Sequence, residues 1–204
     1  MLLEALQTRQ LYEDLVVVFL SDHGEGLYQH GILGHGWDLH REAIQIPLIL
    51  RVPGLARGQR IEDPVQQIDL LPTLLDLLAI DDSESHQGRS LKPLLEGSYS
   101  EEDSDTPLLA YLDYEGRKGM SLILGPWKLI EPLSSSFSSG RQLFHRVRDP
   151  DERTNLASEY PVLAGYMATR VRAELLEFEK LSEPERMEFD EQTREELRAL
   201  GYLQ

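Results

Sequence analysis

The chain has 204 residues, between one and two domains at the usual domain size, and is long enough to bury a substantial core. Hydrophobic residues at 41% and charged residues at 27% are ordinary soluble usage and exclude wholesale disorder. With 20 Lys and Arg against 36 Asp and Glu, the net charge of −16 argues against nucleic-acid and anionic-membrane partners, and the absence of cysteine excludes disulfides, thiolate metal sites and a thiol nucleophile.

Leu2, Leu3, Leu6 and Leu11 fall near helical spacing and predict an amphipathic helix over residues 1–13. No basic region precedes an apolar stretch there, so no signal peptide is expected at this start. Leu15 to Leu20 is the longest apolar run, too short to span a bilayer, and predicts a strand buried on both faces in a parallel sheet. Residues 22–42 form a loop dense in Gly and His, and Ile46 to Val52 predicts a second buried strand. A leucine-rich helix is expected over Asp69–Leu78, with Asp69 as cap and Pro72 in its first turn.

From 81 to 106 the chain is acidic and Ser-rich, a surface connection. Short runs at Leu108–Tyr114, Met120–Leu124, Trp127–Ile130 and Gln142–Phe144 predict an antiparallel sheet, with a flexible Ser-rich hairpin tip at 134–140. Helices are expected over 160–180 and 185–200. The organisation is therefore an α/β portion over 1–80, the 81–106 connection, and a smaller α+β portion over 107–204.

Four of the six histidines, His23, His30, His35 and His40, lie in the Gly-rich loop. Asp22 and His23 follow a strand directly, where ligands collect in open α/β sheets, and a carboxylate beside an imidazole can ligate a divalent cation. Glycines beside the histidines allow close approach to a ligand. Trp37, in the same loop, is a candidate for stacking on a substrate, whereas Trp127 belongs to the core. Glu25 is expected to be a turn or capping residue, His40 a packing residue and Glu42 structural.

Phe19-Leu20-Ser21-Asp22-His23-Gly24-Glu25, with His35-Gly36 thirteen residues beyond Asp22 and Ile46-Pro47-Leu48-Ile49 after it, resembles the sulfatases of the alkaline-phosphatase superfamily. The resemblance continues through Gln67–Leu77, Gly88-Arg89-Ser90-Leu91, Trp127-Lys128-Leu129-Ile130, Asp149–Ala157 and Leu197–Tyr202. It implies a partial alkaline-phosphatase-like mixed sheet flanked by helices, followed by a small subdomain with a short antiparallel sheet. Asp22 and His23 match the metal-binding pair of that family. His35 stands where many members place a lysine that contacts the sulfate, so it is the implied catalytic and substrate-binding residue, with His30 as a further histidine near the site. The family uses one divalent ion, Ca2+ or Mn2+/Zn2+, and the imidazole of His23 favours a transition metal over calcium.

Formylglycine, formed from a Cys- or Ser-x-Pro-x-Arg signature, is expected in an N-terminal half not contained in this sequence. The chain then corresponds to the C-terminal half of such an enzyme and is expected to be inactive alone. Its implied partners are a sulfated small molecule or glycan and that N-terminal half. The same fold with another nucleophile serves phosphodiesterases, phosphonate monoester hydrolases and phosphoglycerol transferases. A non-catalytic acidic binding module is the alternative of a different class.

Overall fold

The computed structural model describes residues 2–55, 58–83, 85–98, 106–137 and 139–181, together with Glu191 and Thr193. The chain divides into two compact units, Met1–Val171 and Arg172–Gln204. The expected helix over 185–200 falls outside the described residues, apart from Glu191 and Thr193.

Helix α1 runs over Leu2–Thr8 and ends there because Gln10, at φ 59°, takes the left-handed conformation that closes helices. Strand β1 is Val17–Leu20. The loop after it contains a two-residue hairpin, β2 (Gly26–Leu27) with β3 (Leu33–Gly34), and the single-turn helix α2, Arg41–Ile44. Strand β4, Leu48–Arg51, begins only after Pro47, which has no N–H to give to a ladder.

The pairing of β1 differs from the parallel arrangement expected from its apolar run. It pairs with β4 antiparallel, in the register Val17↔Arg51 to Leu20↔Leu48. One face of this ribbon is open, with Phe19 58% and its cross-strand partner Ile49 62% exposed. An apolar run records that both faces are suited to burial; within this chain only one is covered.

Helix α3, Leu70–Leu77, is entered through a capping box in which the Asp69 carboxylate accepts from Gln66 N at 2.8 Å. The other Asp69 oxygen accepts from Arg89 N at 3.0 Å, and Leu91 N donates to Thr73 Oγ1 at 2.8 Å. Gly-Arg-Ser-Leu thus docks on α3 backbone to side chain. Gly88 is required, since a Cβ there would lie 2.0 Å from the Ile68 carbonyl oxygen. A one-turn helix α4, Lys92–Leu95, follows.

The antiparallel sheet is present as expected, in the order β5 (Leu108–Tyr114), β6 (Arg117–Leu124), β7 (Trp127–Pro132), β8 (Gln142–His145). Its register places Leu122, Leu129 and Leu143 side by side, all essentially unexposed. By the strand period of two, Ile130 and Phe144 lie on the opposite face, where they cluster with Phe137 and with Leu39 from the histidine loop. Helix α5, Pro161–Leu181, buries Ala164, Met167, Ala168 and Val171, the i, i+3, i+4, i+7 stripe of an amphipathic helix. No helix among the described residues is long and apolar enough to cross a membrane.

The turn after β8 is built by its own side chains. Asp149 accepts from the Arg153 and Thr154 amides, and Asn155 Oδ1 accepts from Leu143 N. This brings Glu152, at φ 53°, under β7, where its carboxylate takes both oxygens to Lys128 Nζ at 2.8 and 2.9 Å. Both side chains are almost wholly buried. Removing one member of such a pair strands a buried charge, so Glu152→Ala should cost about 3–5 kcal/mol in denaturant unfolding. Lys128→Met combined with Glu152→Ala should recover most of that loss. A cost near zero for Glu152→Ala would contradict the burial of the pair.

Candidate functional site

The turn after β1 is fixed by backbone before any side chain acts. Gly24 N donates to Ala43 O at 2.9 Å, and a Cβ on Gly24 would sit 1.9 Å from the Glu42 carbonyl oxygen. Gln67 Nε2 donates to the carbonyls of Ser21 and Asp22 at 3.1 and 2.8 Å. The chain therefore leaves the strand in a turn clamped from two sides, with Asp22 and His23 projecting from it.

Asp22 is 74% and His23 45% exposed at the side chain. The His23 N–H donates to Asp22 Oδ1 at 2.9 Å, and this, with the backbone N–H of Asp22 itself, holds the carboxyl below the usual carboxylate range. His23 Nδ1 donates to the Gly24 carbonyl at 2.7 Å, which leaves Nε2 as the ring's lone-pair atom. That Nε2 lies 3.6 Å from Asp22 Oδ2. Two unprotonated donors at this spacing fit adjacent ligand positions on a cation that takes N and O at about 2.0–2.2 Å. The donor set therefore fits a divalent ion.

The β2–β3 hairpin carries the next pair. Gly26 faces Gly34, so Glu25 and His35 flank the last rung, and His35 Nδ1 lies 3.0 Å from Glu25 Oε2. The His35 ring is 4.2 Å from the His23 ring, and donor atoms of His23, Glu25 and His35 all fall within 4.8 Å of one another. The structure thus brings together Asp22, His23, His35 and also Glu25, which the sequence suggested only as a turn or capping residue. Its proximity to His35 follows from hairpin register, and only the paired glycines at 26 and 34 hint at that.

His30 is held in a network of its own. Its Nδ1 is 2.6 Å from Glu42 Oε1 and its Nε2 3.0 Å from the Glu152 carbonyl, and its ring stacks on the buried His40 ring at 3.7 Å. Both ring nitrogens face acceptors, which only a doubly protonated imidazole satisfies. Burial works against that charge, but Glu42, the Glu152 carbonyl and Asp38 outweigh it and raise the pKa above 6.5. Trp37 is half-buried, edge-on to Tyr114 at 5.7 Å, with the Arg117 guanidinium 4.7 Å over its ring. One face of the indole is therefore already stacked.

Ser182-Glu183-Pro184-Glu185-Arg186 spells a Ser-x-Pro-x-Arg pattern in this chain. It follows α5 in the sequence and lies outside the described residues, whereas the family resemblance sets the signature ahead of the Asp-His turn.

Residues 1–80 match the sulfatase family profile, described simply as Sulfatase. The chain is 30% identical to arylsulfatase K of Gallus gallus over 167 residues, 78% of this chain and 31% of that protein. It is 27% identical to arylsulfatase K of Mus musculus over 185 residues, 87% of this chain and 33% of that protein. Among solved structures it is similar to a 2-O GAG sulfatase, at TM-score 0.71 and 26% identity over 92% of this chain and 41% of that one. It shares the fold of a phosphonate monoester hydrolase from Silicibacter pomeroyi, at TM-score 0.71 and 23% identity over 86% of this chain and 37% of that one. The family match lies in the first 80 residues, and the similarity to arylsulfatases K runs along most of the chain. The chain spans about a third of the length of the curated relatives it matches.

The His30–Glu42 pair has a testable pH dependence. A histidine whose folded pKa is raised adds stability that is complete below its unfolded pKa, 6.5, and is lost as pH rises through the folded value. His30 should titrate above 6.5 by NMR, and Glu42→Gln should bring it down. Unfolding free energy should fall between pH 6 and 8 in the native protein more than in His30→Asn. A His30 pKa at or below 6.5 would contradict the pairing.

Proposed function

We propose that this chain supplies the metal-binding turn and a substrate-facing imidazole of a sulfatase-type site that hydrolyses sulfate esters. The observation that carries this reading is the convergence of Asp22, His23 and His35 at the end of β1, with His23 Nε2 3.6 Å from Asp22 Oδ2 and the His35 ring 4.2 Å from His23. Asp22 and His23 would hold one divalent ion, and the nitrogen ligand favours Mn2+ or Zn2+ over Ca2+. Such an ion supplies Lewis-acid polarisation of the ester oxygens and a lowered pKa for the attacking hydroxyl. A formylglycine would supply the covalent nucleophile that divides the hydrolysis into two easier steps.

The chain's own residues do the rest of what can be assigned. Asp22, kept ionised by two backbone N–H groups, holds its place without needing a neighbouring cation. His35 Nε2 has no partner among the described residues, so in the protonated ring it can donate to an anionic ester or leaving-group oxygen. His30 and Glu42 support the loop from behind. Asp22, His23 and His35 line an open groove of about 1560 Å³, larger than the 300–1,000 Å³ usual for small-molecule pockets, so further walls are needed to enclose a substrate. This supports a site completed by another stretch of polypeptide. The similarity to a 2-O GAG sulfatase supports a sulfated sugar as the substrate class.

The test is made on the enzyme assembled with the remainder of its fold. Turnover of an aryl sulfate should require a divalent ion, and Asp22→Ala and His23→Ala should each lose bound metal and more than about 100-fold of activity, beyond the 10–100-fold typical of residues that only support a ligand. The 204-residue chain by itself should show no turnover. Undiminished metal content in both variants, or a preference for phosphonate or phosphate esters over sulfate esters, would contradict the reading.

A further inference from the structure

We infer that Glu25 is a positioning residue for His35, fixing which nitrogen of that imidazole faces the substrate. Its effect on catalysis rests on the sulfatase reading above; its effect on the ring does not.

The Gly26↔Gly34 rung places residues 25 and 35 opposite each other where the two short strands diverge toward the Asp-His turn. Gly34, at φ 94°, takes a backbone conformation that side chains rarely adopt, and Glu25 Oε1 lies over it, 3.7 Å from where a Cβ would be. Glu25 crosses the hairpin to His35, and its Oε2 lies 3.0 Å from Nδ1. An ionised carboxylate only accepts, so the proton in this contact is on Nδ1. The consequence is a defined tautomer. In the neutral ring Nδ1–H is committed to Glu25 and Nε2 faces outward, where it donates to an ester oxygen once it carries a proton.

The His35 side chain is 56% exposed, with the tilted His23 ring 4.2 Å from its own. An imidazole with that freedom samples several rotamers and both tautomers, and only part of that population offers Nε2 to an ester oxygen. A carboxylate bonded to the far nitrogen of a functional histidine removes both freedoms together.

Two measurements test it. In the full 204-residue chain, long-range 1H–15N correlation of the imidazoles should show His35 as the Nδ1–H form, and Glu25→Ala should shift it toward Nε2–H. An Nε2–H ring in the native protein, or no change in Glu25→Ala, would overturn the inference whatever the enzyme does. In the assembled, metal-loaded enzyme, Glu25→Ala should lower kcat/KM roughly 10–100-fold with metal content unchanged. Glu25→Gln, which keeps an accepting oxygen, should recover most of that loss, and Glu25→Ala should add nothing in a His35→Ala background. Additive losses would overturn the inference, and so would loss of metal in Glu25→Ala, which would make Glu25 a ligand. If His35→Ala itself leaves turnover intact, the sulfatase reading of His35 fails, while the tautomer measurement still decides the role of Glu25.

Discussion

The buried contact between Lys128 and Glu152 ties the histidine loop to the rest of the molecule. One Glu152 carboxylate spans Lys128 Nζ at 2.8 and 2.9 Å and also accepts from Arg41 N, the first amide of α2, at 2.9 Å. The carbonyl of the same residue accepts from His30 Nε2. A single residue of the C-terminal turn thus holds a strand lysine, a helix N-terminus and a loop histidine. Desolvation of the two charges is costly, and similar pairs are often no more stabilising than apolar replacements. The return is positional: the same carboxylate holds the first amide of α2 beside Lys128 of β7.

That anchor explains how a loop of short elements can present functional side chains. Residues 30–41 are fixed from behind by Glu152, Glu42 and the packing of Leu39 against Ile130, Phe137 and Phe144. The segment ahead of them is fixed by the Gly24 contact with Ala43 and by Gln67. The β2–β3 hairpin is held between these two clamps, and Asp22, His23 and His35, which line the groove, stay exposed. Packing and ion pairing are spent behind the loop, and the exposed donors remain available for a ligand. The strongly acidic surface has no bearing on this local arrangement, which depends on contacts of a few ångströms.

Much of this was legible in the sequence, for identifiable reasons. The C-terminal strands announce themselves by alternation and turn residues, and β5 falls on Leu108–Tyr114 as expected. The Asp-His turn was visible because it directly follows an apolar run. Three things were not legible. Strand direction was one, since apolarity on two faces does not say which neighbour β1 takes. The partners of His30 were another, because a histidine paired with Glu42 in a part-buried network looks the same in sequence as one facing a substrate. The third was Glu25, whose partner is set by a hairpin only two rungs long. For His30 the deciding contact is tertiary, to the Glu152 carbonyl 122 positions later, and no local pattern encodes it.

The central claim is that the anchored loop offers Asp22 and His23 to one divalent ion, with His35 beside it. Anomalous diffraction from crystals of the assembled enzyme grown with Mn2+ tests it directly. The account predicts a single strong peak within coordination distance of an Asp22 carboxylate oxygen and His23 Nε2. A peak elsewhere, with Asp22 and His23 turned away from it, would contradict it.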